Sequence, residues 1–131
     1  MSNETINQTT RIFMGLIAFI SSMLGCNAQT DKFKSVGTEK FRAVIADTAT
    51  VLLDVRTPKE YAEGHIGDAR NIDVLCDDFE TAALASLPAD KTIAVYCRSG
   101  RRSKKAATIL AEHGYDVVEL ETGYLGWIKE K

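Results

Sequence analysis

One short segment brings together a thiol, three guanidinium groups, two hydroxyls and a glycine: Cys97-Arg98-Ser99-Gly100-Arg101-Arg102-Ser103. The run 92–96 before it is β-branched and apolar and predicts a buried strand, and apolar residues at helical spacing follow between 106 and 110. The thiol therefore lies where a strand ends and a helix begins, close to unpaired backbone N–H groups and positive charge. These surroundings favour thiolate over thiol, so the segment predicts a sulfur nucleophile at Cys97.

Composition indicates one globular domain and excludes several kinds of function. The chain has 131 residues, of which 45% are hydrophobic and 26% charged, and its net charge of −2 argues against a general nucleic-acid binder. Three cysteines, Cys26, Cys76 and Cys97, cannot form a disulfide framework, and no pair has zinc-ligand spacing. His65 and His113 are isolated in the sequence. We therefore expect neither a metal site nor a cofactor.

The N-terminal region predicts an export signal. Residues 12–24 are apolar and follow Arg11. The length of this run suits a signal-peptide core and is short for a membrane span. The segment Met23-Leu24-Gly25-Cys26 resembles the bacterial lipoprotein box. This resemblance implies a signal peptide over 1–25, lipidation of Cys26, a tether over 26–32, a folded domain over 33–131 and attachment on the periplasmic side of the envelope. The alternatives are an uncleaved membrane anchor, or a misassigned start with no export and a cytoplasmic location.

Strand and helix patterns alternate along the rest of the chain. Strands are predicted at 33–36, 51–55, 69–72, 92–96 and 117–120. Five helices are predicted. The first has Thr38 as its N-cap, the second runs from Thr57 to Gly64, and the third begins after Asp77 or Asp78. The last two cover residues 102–112 and 124–128. This order predicts an α/β fold, a parallel sheet with helices on both faces. Ligands of such sheets bind beyond the carboxyl ends of the strands, where Cys97 lies.

Three blocks of residues resemble the single-domain rhodanese family. They are Leu53-Asp54-Val55-Arg56 with Glu60-Tyr61 and Gly64-His65-Ile66, the loop from Cys97 to Ser103, and Gly114-Tyr115 with Val117, Leu120, Gly123 and Trp127. The resemblance covers about residues 33–129. It implies a rhodanese-like three-layer fold with a central five-stranded parallel sheet. It also implies a sulfurtransferase that moves sulfur from thiosulfate or a related anionic donor, through a Cys97 persulfide, to cyanide or a thiol acceptor.

The loop residues have chemical properties that suit this reaction. We expect Arg98 and Arg101 to bind and neutralise the anionic donor, and the backbone N–H groups of 98–103 to converge on the sulfur. Gly100 allows a tight turn, and Ser103 is expected to cap the helix and offer its hydroxyl. Substrate contacts are thus predicted at Arg98, Ser99, Gly100, Arg101, Arg102 and Ser103. Two simpler readings remain open: a buried, inert Cys97, and Arg102 in a structural pair with a carboxylate.

Other polar residues are better explained by structure than by catalysis. Arg56 and Glu60 are placed to form an ion pair between a strand end and a helix, and His65 to bond the backbone. Asp54 closes a strand and could orient the loop. Cys76 fits a loop or core position, although it could also resolve a Cys97 persulfide as a disulfide.

Two rival functions remain. Cysteine phosphatases and phosphatase-like arsenate reductases place five residues between the cysteine and the arginine of their loop, whereas Arg102 leaves four and Ser103 occupies the next position. We therefore predict negligible phosphatase activity. The other rival is an envelope module that carries sulfur or binds a partner protein, with Cys97 receiving sulfur from a protein persulfide.

Overall fold

A computed structural model describes residues 32–130. Five strands and five helices alternate along this part of the chain. They are β1 (Lys34–Val36), α1 (Thr38–Ile45), β2 (Thr50–Asp54), α2 (Pro58–Glu63), β3 (Arg70–Asn71), α3 (Phe79–Ser86), β4 (Thr92–Tyr96), α4 (Arg101–Glu112), β5 (Asp116–Leu120) and α5 (Gly123–Lys129). Each predicted element is present, with ends that differ by one or two residues.

All five strands are parallel, in the order β1-β5-β4-β2-β3. Residues 51–54 of β2 and 93–96 of β4 are buried on both faces, which explains why these central strands read as continuous apolar runs. The predicted α/β fold with a central parallel sheet is therefore confirmed. Because β4 is central, the residue that follows it lies in the middle of the sheet's carboxyl edge.

Each face of the sheet packs against its own helices. Leu53, Val95 and Val117 contact α3 and α4 on one face through residues such as Phe79 and Leu110. On the other face, Leu52, Ala94 and Leu120 pack with Phe41 of α1 and Trp127 of α5. The alternation of side chains along each strand therefore divides the core into two layers.

The starts of α1 and α2 show where the sequence pattern holds and where it fails. Thr57 caps α2 through a capping box with Glu60, and Pro58 occupies the first helical position, as predicted. Thr38 was expected to be the N-cap of α1, which is wrong: extended Gly37 is the N-cap, and Thr38 is the first helical residue. The Thr38 side chain is buried, with its hydroxyl 3.4 Å from that of Thr122, and makes no cap bond.

Among residues 32–130, no helix combines the length and apolar character needed to cross a membrane. The predicted signal peptide, the predicted lipidation of Cys26 and most of the predicted tether lie outside the described residues.

Candidate active site

Cys97 directly follows β4 and lies at the N-terminus of α4. Its side chain is 1% exposed, and its Sγ accepts a hydrogen bond from the Gly100 N–H at 3.0 Å. Gly100 is the N-cap residue of α4, so one of the helix's unpaired N–H groups points at the sulfur. Of the amides of residues 98–103 that we expect to converge on the sulfur, Gly100 is the one with an observed bond to it. Such a donor stabilises negative charge on the sulfur.

Two glycines allow the Cys97 loop to lie against the connection between β5 and α5. Gly100 has φ 105°, and a Cβ there would lie 2.3 Å from the Glu121 carbonyl oxygen. Gly123 has φ 68°, and a Cβ there would lie 2.3 Å from the Arg98 carbonyl oxygen. The Tyr124 N–H also donates to the Cys97 carbonyl at 2.8 Å. The predicted tight turn at Gly100 is confirmed, and these contacts hold the loop in a single shape.

Arg102 forms a two-bond ion pair with Glu60 of α2. The two guanidinium nitrogens lie 2.8 and 3.0 Å from the two carboxylate oxygens. The hydrogen bond from Arg102 is the main reason that the pKa of Glu60 falls to about 2. The pKa of Arg102 is raised, chiefly by its bond with Glu60 and in smaller part by charge on Cys97. Arg102 is therefore held by Glu60 in the first turn of α4, and the reading of Arg102 as a structural partner of a carboxylate matches this geometry.

Arg56 does not pair with Glu60, contrary to the sequence prediction. Its guanidinium binds Asp54 instead, with Nε–Oδ1 and Nη2–Oδ2 distances of 3.0 and 2.7 Å. Residues two apart on extended chain point the same way, so Asp54 is the nearer partner. Arg56 also donates to the Gly64 carbonyl and lies 4.4 Å from the centre of the Tyr124 ring. This buried pair braces the start of α5, against which the Cys97 loop packs.

Three loop residues predicted to contact substrate face solvent: Arg98, Ser99 and Arg101. Arg98 lines a cavity of about 280 Å³ together with Arg56, Tyr124 and Leu125. A larger cavity of about 760 Å³ runs along β1 and α1 and is lined by none of the predicted site residues. Arg98 is the residue of the loop that lines the smaller cavity, and we place the candidate site at the Cys97 loop because its sulfur accepts the Gly100 N–H at the N-terminus of α4.

Ser103 is not a helix cap, contrary to the prediction. Gly100 is the N-cap of α4 without a side-chain bond, and the Ser103 hydroxyl turns inward, 3.4 Å from Cys97 Sγ. The same hydroxyl donates to Glu119 of β5 at 2.5 Å. Sequence reasoning missed Glu119, although a charged residue in the otherwise apolar run 117–120 was a signal for it.

The remaining candidates lie apart from this arrangement or act structurally. His65 Nδ1 is 2.9 Å from the Tyr61 carbonyl oxygen, which confirms its predicted backbone bond. Cys76 is exposed. Its pKa is raised, chiefly by partial desolvation and to a smaller extent by the negative charges of Asp73 and Asp78. A raised pKa keeps that thiol protonated and slows its attack on sulfur. Within the described part of the chain, no group of three His, Cys, Asp or Glu side chains is arranged to hold a metal ion.

Comparisons with known proteins agree with this geometry. The family model for the rhodanese-like domain matches residues 38–130. A protein from Allochromatium vinosum named sulfurtransferase is 35% identical over 96 residues, which span 72% of this chain and 87% of that protein. The crystal structure of a rhodanese-related protein from Thermoplasma volcanium is 31% identical with a TM-score of 0.62, covering 75% of this chain and 93% of that one. A human single-domain sulfurtransferase is 26% identical with a TM-score of 0.64, over 74% and 96% of the two chains.

Proposed function

The chain belongs to the rhodanese-like domain family, and from this premise we propose that it is a sulfurtransferase with Cys97 as its nucleophile. The observation that carries the proposal is the setting of the Cys97 sulfur. It receives the Gly100 N–H at a helix N-terminus, and charge on it contributes to the raised pKa of Arg102 in the first turn of the same helix. Both features stabilise an anionic sulfur, which a thiolate and a persulfide share.

The proposed reaction has two halves. The Cys97 thiolate attacks the outer sulfur of thiosulfate, the S–S bond of the donor breaks, and sulfite leaves with the bonding electrons. Cys97 then carries a persulfide, whose outer sulfur is attacked by cyanide or by an acceptor thiolate. The S–S bond to Cys97 breaks, and the Cys97 thiolate returns. No external oxidant or reductant is needed, because each half exchanges one sulfur–sulfur or sulfur–carbon bond for another.

Arg98 and Arg101 are the proposed contacts for the anionic donor. Both are exposed and belong to the loop that carries Cys97, so their guanidinium groups are free to meet a dianion arriving from solvent. Arg102 is held by Glu60, and its proposed role is to stabilise charge on the sulfur. Thiosulfate is the donor that we propose, and polysulfide, thiosulfonate or a protein persulfide would present the same outer sulfur to Cys97.

Mass spectrometry of the intact protein tests the proposal. Reduced and desalted protein is incubated with thiosulfate, and one sulfur atom is expected to be gained on the peptide that contains Cys97. Cys97→Ala should abolish the gain, whereas Cys76→Ala, the matched change at the exposed cysteine, should retain it. Addition of cyanide should then remove the sulfur and release thiocyanate. An absence of adduct on reduced wild-type protein with every sulfur donor would refute the proposed function.

We also propose that the protein is lipid-anchored through Cys26 on the periplasmic side of a bacterial envelope. The support is the sequence pattern at 12–26 alone. Labelling with radioactive palmitate should mark the wild-type protein and fail with Cys26→Ala. Unlabelled wild-type protein in the cytoplasmic fraction would contradict this localisation.

A further inference from the structure

Glu119 is a buried carboxylate that the reaction described above does not use. Its side chain is 0% exposed and lies on β5, facing α4. It accepts hydrogen bonds from Ser35 of β1 and from Ser103, both at 2.5 Å, and Lys104 Nζ lies 3.4 Å from its oxygens. Every one of these partners is a donor, which is the environment of an ionised carboxylate. A buried charge is costly, and this one ends within reach of the candidate nucleophile.

Ser103 connects this carboxylate to Cys97. Its hydroxyl gives its proton to Glu119 and so presents oxygen lone pairs to the sulfur. The Cys97 thiol is 3.4 Å from that oxygen and donates to it. The three side chains therefore form a continuous path, S–H to O–H to carboxylate, from the end of β4 through the first turn of α4 to β5.

Charged groups lie at both ends of the path. Lys104 Nζ lies 3.4 Å from Glu119, and Arg102, in the first turn of α4 that follows Cys97, is held by Glu60 of α2. The remaining loop guanidinium groups belong to exposed residues, Arg98 and Arg101. Lys104 supports a negative charge on the carboxylate, and the Gly100 N–H at the N-terminus of α4 supports one on the sulfur.

We propose that Glu119 takes up the thiol proton of Cys97 through Ser103. The S–H bond breaks as its proton joins Ser103 Oγ, while the original Ser103 O–H bond breaks and its proton joins Glu119. Net charge is unchanged: carboxylate and thiol become carboxylic acid and thiolate. Afterwards the Ser103 hydroxyl donates to the anionic sulfur. This inference rests on the proposed function, for which it supplies the attacking thiolate, and it makes Glu119 a positioning residue that acts through Ser103.

Such a path has a distinct pH signature. The thiol–carboxylate and thiolate–acid states hold the same number of protons, so their ratio does not change with pH. Because the two groups interact through Ser103, a fraction of reactive thiolate persists as a plateau over the pH interval in which the pair holds one proton. An isolated thiol has no plateau, and its reactivity falls about tenfold for each pH unit.

Alkylation of the full chain by iodoacetamide between about pH 5 and about pH 8 measures this signature. Trypsin cuts after Lys91 and Arg98, so the peptide 92–98 reports Cys97 alone. Wild-type protein should show the plateau, and Ser103→Thr, which keeps the hydroxyl, should retain it. Glu119→Gln and Ser103→Ala should replace it with the tenfold slope. Glu112→Gln and Ser86→Ala make the same chemical changes on exposed helix positions and should behave as wild type.

Wild-type protein without a plateau would overturn the proposal whether or not any variant folds. A plateau that survives in folded Glu119→Gln or folded Ser103→Ala would overturn it as well, and circular dichroism with urea unfolding establishes folding. The measurement uses no sulfur donor. A plateau without persulfide formation would therefore count against the proposed sulfur transfer and not against the proton path. Persulfide formation without a plateau would count only against the proton path.

Discussion

The Glu60–Arg102 pair joins α2 to the first turn of α4, and Glu60→Gln tests what this connection contributes. Glutamine keeps the capping box, because its side-chain oxygen still accepts the Thr57 N–H. It removes the negative charge that Arg102 binds through two hydrogen bonds. The substitution therefore separates the ion pair from the helix cap.

The size of the effect follows from the pKa of Glu60. The Arg102 hydrogen bond is the largest cause of the fall in this pKa from 4.5 to about 2, and hydrogen bonds with Thr57, which glutamine retains, supply a smaller part. At about 1.4 kcal/mol per unit, the shift corresponds to about 3 kcal/mol of folding stability. The Glu60 and Arg102 side chains are 25% and 20% exposed. Solvent screening therefore reduces the contribution of the pair to folding stability toward about 2 kcal/mol. Because the pKa of the folded state is depressed, this stability is present above about pH 4.5 and is lost as the pH falls toward 2.

Urea unfolding at neutral and acidic pH is the assay. At pH 7, Glu60→Gln should lower the free energy of unfolding by about 2 to 3 kcal/mol, and near pH 2 the two proteins should differ much less. Glu63→Gln is the matched control on the same helix, since Glu63 pairs with exposed Lys59 and should cost about 0.5 kcal/mol or less. If Glu60→Gln costs no more than Glu63→Gln at pH 7, or if its cost persists unchanged near pH 2, the reasoning about this pair is wrong.

Three further outcomes follow from the site. Gly123→Ala should destabilise the protein by more than about 1 kcal/mol in urea and slow sulfur transfer, since its Cβ meets the Arg98 carbonyl, whereas Gly37→Ala has open space and should change both little. Arg98→Ala and Arg101→Ala should each raise the KM for thiosulfate about tenfold in steady-state assays with little change in kcat; an unchanged KM in both would remove them as donor contacts. Cys76→Ser should leave turnover unchanged, and a large loss would make Cys76 a participant.

The fold and the position of Cys97 were predictable because their signals are local. The run 92–96 is apolar throughout, as a strand buried on both faces must be, and Cys97 follows it directly. The turn at Gly100 and the helix after it are also properties of consecutive residues. Parallel strands place such a loop at the carboxyl edge of the sheet, whatever the details of packing. The loop therefore pointed to the site before any contact between distant residues was known.

The partners of the charged residues were less predictable because they depend on contacts distant in sequence. Arg102 lies 42 positions from Glu60 along the chain. Sequence spacing therefore predicted that Glu60 pairs with the nearer Arg56. Only the packing of α2 against the start of α4 selects Arg102. The inward turn of Ser103 likewise depends on an acceptor, Glu119, in another element. Helix-start statistics predicted a cap for Ser103, and they carry no information about a buried carboxylate on a neighbouring strand.

Glu119 shows how strand register brings a distant group into the site. In the parallel ladder Glu119 lies opposite Val95, two residues before Cys97, and on its other side it lies opposite Ser35. Side chains alternate along a strand, so Glu119 shares a face with Val117 and points toward the helix that Cys97 precedes. A register shift of one residue would turn the carboxylate to the opposite face and bring Val118 or Leu120 toward Ser103. Register thus places an acceptor beside Ser103, and the sulfur, the hydroxyl and the carboxylate come together because β4 and β5 end, and α4 begins, at the same edge of the sheet.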